Sequence, residues 1–147
     1  MATKADFTDE EWKALQTGPS GAGTLVALSD RGFFDTFREA SALAKHISAA
    51  HEQSESALVR EIAGGVHGNP FGVTASPEEI ETRTVASLHE AVAALTAKAP
   101  DDLPAYRRFV VDVAQSVAEA AHGVAAGESA ALATVRTAVG DAGAADA

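Results

Sequence analysis

The chain has 147 residues, no cysteine and a formal net charge of −10, with 21 acidic against 11 basic side chains. Half of its 46% hydrophobic content is alanine: 34 residues, against 31 Leu, Ile, Val and Phe together. Lack of cysteine excludes disulfides, thiol catalysis and Cys-based metal sites. The acidic balance, broken only by the pair Arg107-Arg108, argues against a nucleic-acid surface. No stretch approaches the roughly 18 apolar residues of a membrane span, and the start lacks the apolar run of a signal peptide. The expectation is one cytoplasmic, non-membrane domain over residues 1–147, with residues 1–6 and 140–147 as tails too small and polar to pack.

The first element opens at Phe7-Thr8-Asp9-Glu10-Glu11-Trp12. Thr8 and Glu11 form a capping box, and Phe7 and Trp12 take the N′ and N4 places of a hydrophobic staple. This helix is expected to stop at Gly18, with Pro19 opening a second, short helix to about Ser29. A turn at Asp30-Arg31-Gly32 leads to a helix over about 33–51, where Phe33, Phe37, Ala40, Ala44 and Ile47 recur at helical spacing. Phe34 lies about 100° away from Phe33 on the same helix, free to cover a neighbour or edge a pocket. Ser54 is the expected cap of a shorter helix carrying Leu58, Val59 and Ile62, which stops at Gly64-Gly65. Residues 64–75, with four glycines and a proline, form the longest irregular stretch, of the kind that is either functional or mobile.

Ser76-Pro77-Glu78-Glu79 combines an N-cap serine, proline at N1 and glutamate at N3. It starts a helix over about 77–98 with Ile80, Thr84, Val85, Leu88, Val92 and Leu95 along one stripe. A break from Pro100 to Pro104 precedes a helix over about 104–126 bearing Tyr106, Phe109, Val110, Val113, Val117 and Val124. Gly127 is its expected stop, and a last helix covers about 128–139. No segment alternates as a strand does. The pattern predicts an all-α bundle of six or seven helices containing a long antiparallel pair, about 77–98 and 104–126. Alanines beside the two apolar stripes (Ala86, Ala93, Ala97; Ala114, Ala118, Ala121, Ala125) permit close helix approach. They offer a face for the short helices or for a second subunit, and the expectation is a homodimer through these two helices. The competing reading is alanine filling solvent faces on helix propensity alone.

Four features invite a chemical reading. Gly18-Pro19-Ser20-Gly21-Ala22-Gly23-Thr24-Leu25 approaches a phosphate-binding loop. It places Thr24 and Leu25 where such a loop needs Lys and then Ser or Thr, and a capped helix where it needs a strand; glycines making a tight helix–helix turn are the plainer reading. Glu119-Ala120-Ala121-His122 has the Glu-x-x-His spacing of di-metal bundles. The chain holds no second such pair, so a divalent-metal site here would need His89 or a second subunit, and a solvated helix face is the alternative. His89 borders the apolar stripe of its helix, as a packed or interface histidine or as that extra ligand. His67 and Asn69 lie on the glycine-rich loop, where a functional role competes with simple solvation. His46 and His51, five apart, diverge around their helix.

No nucleophile elbow occurs, and Ser87-Leu88-His89 places its residues around a helix instead of facing one another. The acidic pairs Glu78-Glu79 and Asp101-Asp102 are explained by helix starts. The run Phe7 to Leu15 followed by Gly18-Pro19 and a small-residue helix to Asp30 resembles the opening of small, uncharacterised all-helical proteins of high-GC bacteria. That family brings no catalytic residues. The functional expectation is a non-enzymatic binding or accessory protein acting through helix faces, with the 64–75 loop near the contact. A metal-binding bundle using Glu119 and His122 and a carrier of a small apolar ligand are the alternatives.

Overall fold

The computed structural model describes residues 3–29, 45, 47–49, 52, 54, 56–65, 76–120 and 126–140. Among them there are helices and no strand: α1 Asp9–Ser29, α2 Ala57–Gly64, α3 Pro77–Lys98, α4 Leu103–Ala120 and α5 Ala126–Ala138, with 3-10 turns at Lys4–Asp6 and Pro100–Asp102. Residues 45, 47–49 and 52 are also helical, and Ile47 is buried. The rest of the helix expected over 33–51, with its phenylalanines and histidines, lies outside the described residues, as does the loop from residue 66 to 75.

Local capping works as the sequence implies. The Thr8 amide donates to Glu11 Oε1 at 2.8 Å while the Glu11 amide donates to Thr8 Oγ1 at 3.1 Å. The Phe7 and Trp12 rings meet at 6.0 Å, both buried. Ser76 Oγ accepts from the Glu79 amide at 3.2 Å, with Pro77 at the first helical position. The cap of α2 differs from expectation. Ser56 Oγ accepts from the Val59 amide at 3.1 Å, whereas Ser54 Oγ accepts from the Ser56 amide at 3.3 Å. The helix therefore begins two residues later than a Ser54 cap would place it.

Two further boundaries move. Gly127 lies inside α5 instead of ending its predecessor; α4 is described as far as Ala120, and residues 121–125 lie outside the described residues. Residues 4–6, expected within a tail, make a 3-10 turn in which the Thr3 amide donates to Asp6 Oδ2 at 2.8 Å. At the other end Gly140 takes φ +80°, the left-handed conformation that closes a helix C-terminus. The Arg107 guanidinium donates to the Val139 carbonyl at 2.7 Å there, placing a cation where the α5 dipole is negative.

The largest correction concerns Gly18-Pro19. No second helix starts there; α1 runs unbroken through both residues. It is the central helix, packed most extensively against α3 and α4 and also touching α2 and α5. Residues 18–23 are all buried. Six consecutive positions at 100° per residue cover the whole circumference, so this stretch is enclosed on every side. Only Gly, Pro, Ser and Ala occupy it, which lets neighbouring side chains reach the α1 backbone.

Tyr106 on α4 makes that approach. Its hydroxyl, fully buried, donates to the Leu15 carbonyl at 2.9 Å. In a regular helix that carbonyl would accept from the amide of residue 19, but proline has no N–H to give. Tyr106 thus supplies the donor that Pro19 lacks. A Cβ on Gly18 would stand 2.4 Å from Tyr106 Oη and 2.8 Å from Leu88 Cδ2, so only glycine leaves room for both. Helix 18–23 polar groups are satisfied locally: Ser20 Oγ donates to the Gln16 or Thr17 carbonyl and Thr24 Oγ1 to the Ser20 carbonyl. Desolvation pushes the Tyr106 phenol well above its ordinary value, and it stays a neutral donor.

α3 and α4 are linked through the Pro100 turn, and the main partner of each is α1. Glu11 at the start of α1 pairs with Lys98 at the end of α3, while Leu88 lies against Gly18, so the two helices run in opposite directions. Ile80, Thr84, Leu88, Ala91 and Leu95 are the buried line of α3.

Candidate functional site

The phosphate-loop resemblance ends in the core. Gly18, Gly21 and Gly23 belong to the enclosed part of α1, and the space at Gly18 is filled by Tyr106 and Leu88. Helical amides bonded along the chain form no anion cradle. The glycines serve close packing within one helix, not a turn between two.

Glu119, near the end of α4, is exposed and accepts from Gln115 Nε2 at 3.3 Å, one turn back along the same helix. His122 lies outside the described residues, as do His67 and Asn69. His89 on α3 is exposed instead of packed at the edge of the core. No group of three or more His, Asp or Glu side chains able to hold a metal gathers among the described residues.

The expected alanine faces divide. Ala114 and Ala118 of α4 are fully buried within the chain's own core. Ala86, Ala93 and Ala97 of α3 are exposed, and its buried alanines are Ala91 and Ala94. α3 thus has one face against α1 and an opposite face where Ala86, Ala93 and Ala97 follow one another at spacings of seven and four, with His89 and Glu90 between them. The strip is small at Ala86, Ala93 and Ala97, and the turn between the first two carries His89 and Glu90.

Two features missed in the sequence are Tyr106 as donor to α1 and the unpartnered hydroxyl of Thr84, a residue already expected on the apolar stripe. Thr84 Oγ1 has no hydrogen-bond partner among the described residues. A signal for Tyr106 existed: one tyrosine in an apolar stripe needs an acceptor, and one proline inside a helix leaves an acceptor free. No protein-family model, curated protein or solved structure matches the chain.

Proposed function

We propose that this is a helical binding or accessory protein that works through helix-face contacts, with a second copy of the chain as its first partner. The exposed Ala86, Ala93 and Ala97 strip of α3 is the observation that supports this reading. α3 is well suited to present such a face. It is capped by Ser76, tied to α1 by Lys98 and Glu11, and held by six buried positions on its other side. A two-fold pairing would bring the same strip of each copy together. Ala114 and Ala118 of α4 are occupied inside the chain, while Ala121 and Ala125 lie outside the described residues, so the dimer reading rests on α3. The likeness of residues 7–30 to small all-helical bacterial proteins is compatible with an accessory role.

Sedimentation velocity from low to high micromolar concentration tests the proposal. The wild-type chain is expected to dimerise in that range. Ala86→Arg with Ala93→Arg is expected to remain monomeric with unchanged helicity, since arginine costs little helix propensity at exposed positions. A wild-type protein that stays monomeric at high micromolar concentration overturns the homodimer, and a double variant that still dimerises overturns the α3 face.

A further inference from the structure

The N-terminal segment before α1 makes more long-range polar contacts than a tail requires. The Lys4 amide donates to Glu61 Oε1 of α2 at 2.8 Å. The Lys4 ammonium lies 6.0 Å from the Trp12 ring centre, and the Lys98 ammonium of α3 lies 5.7 Å from that of Phe7. Glu11 receives Lys98 together with the Thr8 amide. Residues 3–8 therefore cross three helices, with Lys4, Asp6, Glu11, Glu61 and Lys98 as the charged groups around them and Phe7 as their one buried apolar anchor.

α2 depends on such ties. Eight residues are too few for a helix to persist alone, so its stability comes from docking. Leu58, Val59, Ile62 and Ala63 are buried, and the polar fastenings sit at its N-cap and on its exposed middle turn. Ser56 Oγ donates to Asp102 Oδ1 at 2.8 Å on one side, and Glu61 accepts from the Lys4 amide on the other. The exposed contact between the Lys4 amide and Glu61 is individually weak, whereas α1 is enclosed by three other helices. Sub-global opening takes its path through such locally weaker units.

We propose that residues 3–8 form a releasable strap, clipped to α2 through the Lys4 amide and Glu61, whose detachment undocks α2 while α1, α3, α4 and α5 stay folded. Strap and short helix then behave as one opening unit, and release uncovers the side of Trp12 that Lys4 and Phe7 cover. The device is independent of whether α3 pairs with a second copy.

Native-state hydrogen exchange on the full chain tests it. Glu61→Ala removes the acceptor while raising the helix propensity of α2, so lost protection there cannot come from propensity. Lys4→Pro removes the donor without touching α2, at a first-turn position that tolerates proline. Both are expected to raise exchange of the Phe7 amide and of residues 57–64 together by about threefold to tenfold. Protection in residues 14–26 and 106–118 is expected to hold. Lys4→Met keeps the amide and is expected to have the smaller effect on α2. Unchanged exchange of α2 in both Glu61→Ala and Lys4→Pro overturns the proposal. So does a rise shared equally by α1 and α4, which would mean global destabilisation.

Discussion

The hydrogen bond from Tyr106 to the Leu15 carbonyl has a value that depends on Pro19, and a double-mutant cycle isolates that dependence. Tyr106→Phe removes the hydroxyl and keeps the buried ring. With Pro19 in place, the Leu15 carbonyl then has neither the helical amide nor the phenol, and it is deep in the core. Leaving such a group unpaired costs about 1–3 kcal/mol. With a urea m-value of about 2 kcal/mol/M, the midpoint falls by about 0.5–1.5 M. In a Pro19→Ala background, residue 19 again has an amide able to reach the carbonyl four residues earlier. Tyr106→Phe then removes one bond from an acceptor that retains another, at a cost of about 0.5–1 kcal/mol. The expected coupling is about 1 kcal/mol. Effects of Pro19→Ala alone, on helix propensity, unfolded-state entropy and packing, cancel in the cycle. Equilibrium urea unfolding of the four proteins, followed by Trp12 emission and far-UV circular dichroism, measures each term. Equal costs of Tyr106→Phe in the two backgrounds, within about 0.3 kcal/mol, would refute the claim that Tyr106 replaces the missing proline amide.

Three other outcomes follow from the same packing. Gly18→Ala should destabilise by about 1–3 kcal/mol despite alanine's better propensity, because its methyl overlaps both Tyr106 Oη and Leu88 Cδ2; the same urea titration detects it, and an unchanged midpoint contradicts the close approach. Thr84→Val should stabilise by about 1 kcal/mol, since it replaces a buried unpartnered hydroxyl with a methyl of similar shape; a loss of stability would show that the hydroxyl is paired. Glu11 has its carboxyl held below the ordinary 4.5, first by the Lys98 hydrogen bond and then by the Thr8 amide. A group lowered in the folded state contributes stability above its unfolded value, and that contribution is lost as pH falls through the folded value. The stability difference between wild type and Glu11→Gln should therefore be flat at neutral pH and shrink as pH falls below 4.5, measured by urea unfolding across the acid range.

The residues expected to carry chemistry were legible as sequence patterns and much less as a site. Glu119 has the right spacing to His122, yet its carboxylate is exposed on the helix surface beside Gln115. Spacing along one helix specifies that two side chains share a face; the additional ligands a metal needs must come from other elements, and sequence does not place those. The alanines show the same limit. Every alanine near an apolar stripe looks alike in sequence, but Ala91 and Ala94 are buried on α3 while Ala86, Ala93 and Ala97 are exposed.

The sequence by itself determined what residues within five positions of each other can settle. The Thr8–Glu11 box, the Phe7–Trp12 staple and the Ser76-Pro77 start are local exchanges of hydrogen bonds and apolar contact, complete once their own turn forms. Helical periodicity likewise established an all-α chain. Tertiary structure decided the fate of Gly18-Pro19. Judged locally, one residue weakens a helix and the other lacks its amide, so a break is the natural reading. The donor that satisfies Leu15 comes from Tyr106, 91 positions away, and the missing Gly18 side chain is what admits it. A feature whose local cost is met by a distant partner can be read only where that partner is in place.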